Sequence, residues 1–442
     1  MIRVFKGLSR QQKESIGLLQ IGTFLEYFDL MLYVHMAVLL NELFFPEADP
    51  HTTAVVSAFA FCSTFILRPF GAILFGLIGD NIGRKSTVIM TTMMMALSCI
   101  VMANLPTYAE IGISAAWIIT ICRIAQGLSS MGEVMGAQIY ITEITKPPTQ
   151  YFAVTLIVFS LALGGMTAVG IASLVTHFDF NWRVAFWIGA CVAVVGTLAR
   201  TRLRETPEFL EMKRRKKQNE ENDYKHENRK KTAPEKISKK NLIAYFFIEC
   251  TCPMVFYLAY IYFNPLLKTL GLSSANIIFH NFLVTISELL FTVFLLYFVT
   301  KFHPLKILRF KAICAVFFIL ALPACIMYST SAWHIFIIQA LIFLCPIGGT
   351  PGDAIFFKSF PTSRRFMSTT FAYASSRAIM HIISAFGLVY LTEWFGYYGI
   401  WFIGLPIIGA FFWALNHFEK LEGLRPNKSS NPDLGGGYIE AA

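Results

Sequence analysis

Charged residues are scarce in this chain: Asp, Glu, Lys and Arg make up 14% of its 442 residues, against about 25% in ordinary soluble domains. Hydrophobic residues make up 55%. A chain of this composition cannot hide its apolar surface in a water-soluble core, which excludes ordinary soluble proteins. Apolar runs of roughly 18 residues or more, each long enough to cross a bilayer, recur from Ile16 to the region of Leu415. About twelve such spans are predicted.

Several motifs of common enzyme classes are also missing. The sequence has no G-x-x-x-x-G-K-[ST] phosphate loop, no H-E-x-x-H zinc motif and no glycine-rich dinucleotide turn. We therefore expect no enzyme activity, no metal site and no cofactor, with a proton gradient as the source of energy. The nine cysteines are odd in number and lie in the apolar runs, which argues against a disulfide framework. The first run reaches about Leu40 without an A-x-A site, so we expect a spanning helix rather than a removable signal peptide.

The formal net charge of +10 is explained by membrane topology rather than by binding to nucleic acid. Odd-numbered connections such as 41–52 and 105–111 carry acids and no Lys or Arg. The even-numbered ones carry the cations, which predicts that they face the cytoplasm together with both termini. We expect a multi-pass protein of the plasma (inner) membrane, with the lipid bilayer around it, no nucleic-acid partner and no obligate protein partner. The cations on that side are Arg84, Lys85, Lys146, Lys301, Lys306, Arg309, Lys311, Lys358, Arg364 and Arg365.

One long hydrophilic stretch, 203–240, divides the chain, and we interpret it as a charged cytoplasmic linker that could also touch anionic lipid. The predicted fold is an all-α integral membrane protein with twelve transmembrane helices in two six-helix halves, residues 1–202 and 241–416, followed by a cytoplasmic tail, 417–442. Such halves are typical of transporters built from repeats. The predicted spans are 16–40, 52–78, 87–104, 112–142, 151–175, 184–202, 241–266, 275–299, 309–329, 333–357, 367–391 and 398–416.

Two predicted helices carry polar stripes. In the first, Glu26, Asp29 and Tyr33 share one face. Carboxylates at this depth are too costly to face lipid, so they line a cavity or meet cations. A substrate or proton role is favoured, and an ion pair that only fixes helix packing is the alternative.

The fourth helix repeats this pattern with Arg123, Gln126 and Glu133 on one face. Arg123 stays charged and can pair with Glu26 or Asp29, or bind a substrate carboxylate. Glu133 lies roughly 15 Å nearer the cytoplasm. A carboxyl whose access to water changes can carry a proton, so Glu133 is the favoured carrier and Asp29 the next.

The second half offers weaker candidates. Glu288 and Arg377 fall near the middle of the eighth and eleventh spans and could pair across a cavity. Glycines and a proline at 348–352 interrupt the tenth span just before Asp353, as in the broken helices that accompany transporter sites. Close helix packing is the alternative for all of these residues.

The turn after the second span, Gly76-Leu-Ile-Gly-Asp80-Asn-Ile-Gly83-Arg84-Lys85, is similar to the conserved loop of the major facilitator superfamily, G-x-L-A-D-R-x-G-R-K. We predict that Gly76, Asp80, Gly83, Arg84 and Lys85 form a cytoplasmic gate. Within that superfamily the chain resembles the metabolite:proton symporter family, whose members carry proline/betaine, shikimate, citrate or 2-oxoglutarate. The resemblance covers most of 16–210 and rests on GTFLEYFDLMLY, RPFGAILFGLIGDNIGRK, RIAQGLSSMGE, WRVAFWIG and RETPEF.

The resemblance implies proton-coupled symport of a small polar metabolite or compatible solute, proline/betaine-like or an organic acid, into the cytoplasm. It places the polar stripe residues at the family's matching positions. Thr23, Tyr27 and Met131 depart from the family pattern, which bears on the solute more than on the mechanism. The alternatives are an exchanger or efflux pump of the same superfamily, or a non-transporting solute receptor on the same scaffold.

Overall fold

The computed structural model describes residues 7–44, 65–178, 180–225, 237–344 and 347–424. Within these ranges every regular element is a helix, and no strand occurs. Helices occupy most of the described part of each predicted span. The N-terminal part of the second predicted span, 52–64, and the tail from 425 lie outside the described residues.

The described residues of the first half contain six long helices, which follow one another along the chain. A single helical turn, Tyr108–Ile111, precedes the fourth. The helices are α1 (Arg10–Phe44), α2 (Arg68–Asn81), α3 (Arg84–Asn104), α4 (Ile113–Ile144), α5 (Thr149–His177) and α6 (Arg183–Arg200).

The predicted linker contains a further helix, Pro207–Lys225, which we name the linker helix. Its proline lies at the first helical position, where the missing N–H costs nothing. Phe209, near its start, is 2% exposed and packs under the Arg84 guanidinium. This part of the linker is therefore anchored to the helix bundle. The half boundaries at 202 and 241 stay a prediction.

The second half begins with α7 (Lys239–Thr269), which contains a π-helical turn at Leu258–Tyr262. The tenth span is broken into α10a and α10b, with residues 347–352 between them non-helical, as the glycine-rich sequence predicts. The remaining helices are α8 (Ser274–Val299), α9 (Pro304–Met327), α10a (Ala332–Leu344), α10b (Asp353–Lys358), α11 (Arg365–Ile382, continued by Ile383–Gly387 and Leu388–Phe395) and α12 (Gly399–Leu421).

Local sequence signals set several helix starts. Ser238 and Ser273 precede α7 and α8, and each hydroxyl accepts the backbone N–H three residues later. His303 also caps α9, where its ring Nδ1 accepts the N–H of Leu305, two residues later, and Pro304 occupies the first helical position. These caps fix where the second-half helices enter the bundle.

The two halves meet along two helix pairs. α2 packs against α11, and α5 packs against α8. Within the first half α1 packs on α4, α5 and α6, while in the second half α7 packs on α11 and α12. Polar groups on α1, α2, α7, α8 and α11 therefore face the space between the halves.

Many of these helices suit a bilayer by length and composition. Seven stretches of the described residues qualify as spans: α3, α4, α5, α7, α8, α9 and the series Arg365–Leu421, which contains both α11 and α12. Arg183–Leu198 of α6 and all of α10a are shorter apolar helices. The described architecture is that of a multi-pass helical membrane protein.

Candidate functional site

A cavity of about 620 Å³ lies between the halves. α1, α2, α4 and α5 contribute to its wall from the first half, and α7 to α11 from the second. Its size is that of a small-molecule site. The ionisable residues other than cysteine and tyrosine on the wall are Glu26, Arg68, Glu249, Glu288, Lys306, Lys311, Asp353, Arg377 and His381.

On the first-half wall, Glu26 of α1 faces Arg68 at the start of α2. Arg68 Nη2 lies 3.9 Å from Glu26 Oε1, and both side chains are 5% exposed. The guanidinium carbon lies 4.6 Å from the centre of the Phe65 ring. Arg68 Nε is buried and has no hydrogen-bond partner among the described residues. A buried guanidinium with an unused donor is suited to receive an anionic group.

On the opposite wall, Arg377 of α11 pairs with Glu249 of α7, with Nη1 2.9 Å from Oε2. The guanidinium stacks on Tyr373, its carbon 3.3 Å from the ring centre. Glu288, which the sequence suggested as the partner of Arg377, instead accepts a hydrogen bond from the Tyr260 hydroxyl. The expected Glu288–Arg377 pair is therefore wrong, because α7 places a different acid beside Arg377.

A second acid, Asp353 at the start of α10b, lies next to this pair. Asp353 Oδ2 accepts the Thr350 hydroxyl at 2.6 Å and the side-chain amide of Gln138 at 3.5 Å. Gln138 belongs to α4, so this contact joins the two halves. A Cβ built on Gly349 would overlap Asp353 Oδ1 and lie 2.5 Å from Glu249 Oε1. The break in the tenth helix thus holds both carboxylates beside one glycine.

A chain of ring contacts joins the acidic and basic parts of the cavity, where Phe65, Phe256 and His381 line the wall and Tyr260 is buried. Tyr260 and Phe256 have ring centres 5.4 Å apart. Phe256 contacts His381 edge-on at 6.0 Å, and His381 lies 3.7 Å from Phe65. The ring contacts therefore run from Tyr260, which donates a hydrogen bond to Glu288, to Phe65, which lies under the Arg68 guanidinium.

The remaining predicted stripe residues form a separate, buried cluster. Arg123 Nη1 lies 3.1 Å from Asp29 Oδ2 and donates to Gln126 Oε1 at 2.8 Å. Gln126 Nε2 donates to Asp29 Oδ1 at 2.6 Å, and the Arg123 guanidinium stacks on Tyr33 at 3.8 Å. None of these four residues is in the cavity wall formed by the described residues. The cluster joins α1 to α4, and Arg123 selects Asp29 rather than Glu26.

Glu133, the favoured proton carrier, has its backbone in α4. Its side chain lies outside the described residues. Its role stays a prediction.

The predicted gate lies where α2 ends and α11 begins. Asp80 Oδ1 accepts the N–H of Phe366 at 3.2 Å, and Oδ2 accepts that of Met367 at 2.9 Å. The carboxylate thus satisfies two free donors at the positive end of α11. Arg84 Nη1 lies 3.2 Å from Asp80 Oδ1. Asp80 therefore links the two halves and is itself held by Arg84.

Two arginines from opposite halves converge on one glutamate at the gate. Glu143 Oε1 lies 3.1 Å from Arg84 Nη2 and 3.1 Å from Arg365 Nη1. Glu143 Oε2 accepts the Thr206 hydroxyl at 2.6 Å. Arg84 is fully buried and also donates to the Thr362 carbonyl at 3.0 Å. This network closes the end of the bundle that is predicted to be cytoplasmic.

The other gate residues have backbone roles. A Cβ on Gly76 would come within 2.8 Å of Met367 Cα, so only glycine lets α2 approach α11 this closely. Gly83 has φ 147°, a conformation that glycine tolerates. The backbone N–H of Lys85 donates to Glu205 at 3.3 Å, as does that of Arg84 at 3.0 Å.

The sequence interpretation missed four charged residues of these sites: Arg68, Glu143, Glu205 and Glu249. Glu249 carried the same signal as Glu26, an acid inside a predicted span. Glu143 falls one residue beyond the predicted end of its span, and Arg68 lay inside a quoted segment. Nothing local in the sequence marks Glu205 as the acceptor for the start of α3.

The glycine beside the two second-half acids gives a testable prediction. Gly349→Ala should lower uptake at least about tenfold, because the methyl group would displace both carboxylates at a cost of about 1–3 kcal/mol. Gly348→Ala is the matched control, since a Cβ there meets nothing within 4 Å. Initial uptake rates per folded transporter would be compared. Equal rates for the two variants would contradict the crowding at Gly349.

A comparison with protein families shows to which family the chain belongs. The family model described as Major Facilitator Superfamily matches residues 19–385. The chain belongs to the major facilitator superfamily. It is a transporter of this superfamily rather than an enzyme, and the predicted all-α membrane fold is confirmed.

Curated relatives match the first part of this major facilitator protein. The proline/betaine transporter of Escherichia coli K12 is 31% identical over 204 residues, 45% of this chain and 41% of the relative. The inner membrane metabolite transport protein YhjE of the same strain is 34% identical over 206 residues, 45% of this chain and 47% of the relative. In these alignments the chain spans less than half the length of the curated relatives.

Solved structures support the fold of the whole transporter. The proton:xylose symporter XylE, bound to 6-bromo-6-deoxy-D-glucose, superimposes with a TM-score of 0.73 at 16% identity, covering 93% of this chain and 99% of that one. The human organic anion transporter MFSD10 gives a TM-score of 0.63 at 11% identity, covering 93% and 100%. At these identities the likeness concerns the fold alone.

Proposed function

We propose that this transporter carries a small carboxylate-bearing metabolite, most simply a zwitterion such as proline or betaine, into the cytoplasm together with a proton. The observation that carries the proposal is the pair of buried guanidinium groups on the cavity wall, Arg68 from the first half and Arg377 from the second. Arg377 already has Glu249, whereas the Arg68 guanidinium lies 3.9 Å from Glu26 and 4.6 Å from the Phe65 ring centre, and its Nε has no hydrogen-bond partner among the described residues. Arg68 is therefore the anion-binding group.

The aromatic rings of the cavity wall support a cationic second group on the solute. Ammonium and quaternary ammonium groups bind to the faces of Tyr and Phe rings, with a gain of about 0.5–2 kcal/mol. Phe256 and Phe65 supply such rings on the cavity wall, and Glu288 lies on the same wall. A solute with a carboxylate at Arg68 and an ammonium group over the rings uses both features. The likeness to a proline/betaine transporter is consistent with this chemistry.

Two transport measurements on purified protein in proteoliposomes test the proposal. Counterflow with betaine, proline, dicarboxylates and shikimate should identify an exchanged solute. An inward proton gradient should then drive uphill accumulation of that solute. Counterflow that ignores the proton gradient would favour the exchanger, and binding without any counterflow would favour a receptor.

Replacing Arg68 tests the solute class. Arg68→Gln should raise the KM for glycine betaine at least about tenfold, since a charge-assisted hydrogen bond to a buried carboxylate contributes about 1.5–3 kcal/mol. Choline, which lacks the carboxylate, should inhibit betaine uptake by the wild type and by the variant equally well. The control is Arg215→Gln on the linker helix, whose side chain is 74% exposed. An unchanged KM, or equal losses for betaine and choline, would exclude Arg68 as the carboxylate site.

A further inference from the structure

The two acids beside Gly349 share one directly paired cation. Arg377 contacts Glu249 Oε2, while Glu249 Oε1 and Asp353 Oδ1 both point to the same glycine. Glu249 is 4% and Asp353 3% exposed, and both lie on the cavity wall. Two carboxylates this close in a buried site cannot both ionise cheaply beside a single guanidinium. The charges of the two carboxylates and Arg377 are therefore balanced when the carboxylates share one proton.

A further cation, Lys311, and several uncharged side chains face the pair. Lys311 of α9 interacts electrostatically with Asp353 but donates to the Thr350 carbonyl at 3.3 Å. Tyr245 and Cys252 of α7 and Tyr373 of α11 also face the pair. All three are neutral hydroxyl or thiol groups in ordinary conditions. From α4 the facing group is the Gln138 amide, which carries no charge.

We propose that Glu249 and Asp353 together bind the coupling proton, and that this second-half pair, rather than the polar stripes of α1 and α4, is where the proton is carried. The inference rests on the proposed symport. With the proton bound, the two acids and Arg377 sum to zero charge. Without it these three groups carry one net negative charge, which faces Lys311, and the proton has passed to water on the side to which the cavity opens.

The contacts of Asp353 couple proton binding to the movement of one half relative to the other. Asp353 Oδ2 accepts the amide of Gln138 from the first half, and its helix begins at the break of the tenth span. Loss of the proton places a net negative charge on this junction. Lys311 and the Gln138 amide are then the groups that can respond, one on α9 and the other on α4. A bond across the halves that changes with protonation is what alternating access requires.

The first-half alternative is already balanced. Asp29 has Arg123 as a cation of its own, and its two oxygens accept from Arg123 and Gln126. That carboxylate needs no proton to be satisfied. The pair at Gly349, by contrast, has two acids on one directly bonded guanidinium.

The central test separates exchange from proton-driven accumulation in proteoliposomes, with radiolabelled glycine betaine as the probe. Asp353→Asn and Glu249→Gln each remove one acid, so the remaining acid is matched by Arg377 and no proton is needed. Counterflow should persist in both variants. With the membrane potential clamped at zero, wild type should accumulate betaine up to about tenfold per pH unit, the limit for one proton per solute. Both variants should fall to a ratio of about one. Glu393→Gln, at an exposed acid near the end of α11, is the control and should behave as wild type.

The outcomes separate this inference from the proposed function. Wild-type counterflow without a response to the proton gradient contradicts symport itself. Wild-type coupling that survives in both Asp353→Asn and Glu249→Gln contradicts the acid pair and returns Glu133 and Asp29 to first place. Coupling that is lost in Glu133→Gln but intact in Asp353→Asn and Glu249→Gln would also contradict the acid pair.

A second measurement does not depend on which solute is carried. Infrared difference spectra of the purified protein, recorded as pH rises, should show loss of the carbonyl stretch of a protonated carboxyl group. Asp353→Asn should lack that band, and Glu249→Gln should lack it too, because neither variant retains a shared proton. A purely structural role would leave the band in place. Its persistence in both variants overturns the proposal even if their transport is lost through poor folding.

Discussion

Asp80→Asn is expected to lower the initial uptake rate at least about tenfold while the protein remains in the membrane. Asparagine keeps the size of the side chain and one acceptor oxygen, but it loses the charge that faces Arg84 and the start of α11. Removing one member of a buried ion pair costs about 3–5 kcal/mol because the other charge is left uncompensated. Here Arg84, which is fully buried, would be left with Glu143, an acid that it shares with Arg365.

Hydrogen exchange shows whether the loss arises at the gate. The N–H groups of Phe366 and Met367 donate to Asp80, so the peptide containing them should lose protection in Asp80→Asn. Glu211→Gln on the linker helix is the control, because its side chain is 61% exposed and such surface pairs contribute about 0–1 kcal/mol. Wild-type uptake, or slow uptake with unchanged protection at 366–367, would show that Asp80 does not act as the gate.

The candidate residues could be found from the sequence because a charged side chain inside a bilayer costs free energy. That rule found Glu26, Asp29 and Arg123 from sequence, and helical spacing placed the last two on faces that can meet. Spacing could not choose between Glu26 and Asp29 as the partner of Arg123. The choice depends on how α1 rotates against α4, which tertiary packing sets. The same limit produced the wrong Glu288–Arg377 pair.

Span boundaries and linker composition account for other differences. Glu143 lies just after the predicted end of the fourth span, a boundary that would put it in a loop, whereas α4 continues to Ile144. The linker was interpreted as solvated because of its charge, yet Leu203, Thr206 and Phe209 are buried against the gate. A few apolar side chains within a highly charged stretch are a weak sequence signal. Their docking depends on Arg84, which lies far away in the sequence.

The break of the tenth helix was predictable because glycine and proline act locally. Glycines at 348, 349 and 352 and a proline at 351 weaken a helix wherever they occur. The sequence could not show that Glu249 would lie opposite this break. That neighbour comes from α7, about a hundred residues earlier, and long-range contacts of this kind are set by the fold.

The largest expected loss of stability concerns the buried pair of α1 and α4. Arg123→Met should lower the free energy of unfolding by about 3–5 kcal/mol, because Asp29 would remain as a buried charge without its cation. Arg123→Lys should lie between Met and wild type. An ammonium group can approach Asp29, but it cannot also bond Gln126 and stack on Tyr33 in the fixed geometry of a guanidinium.

The double variant Asp29→Asn/Arg123→Met separates a packing role from a role in binding the solute. It removes both charges, so it should recover most of the stability lost in Arg123→Met. Because Arg123 is absent from the cavity wall, the folded fraction of the double variant should bind glycine betaine with an affinity within about twofold of wild type, less than 0.5 kcal/mol. Thermal unfolding in detergent measures the first quantity, and equilibrium binding to the folded fraction measures the second. Restored stability with binding lost would place Arg123 in the solute site and would mean that the cluster opens toward the cavity during transport.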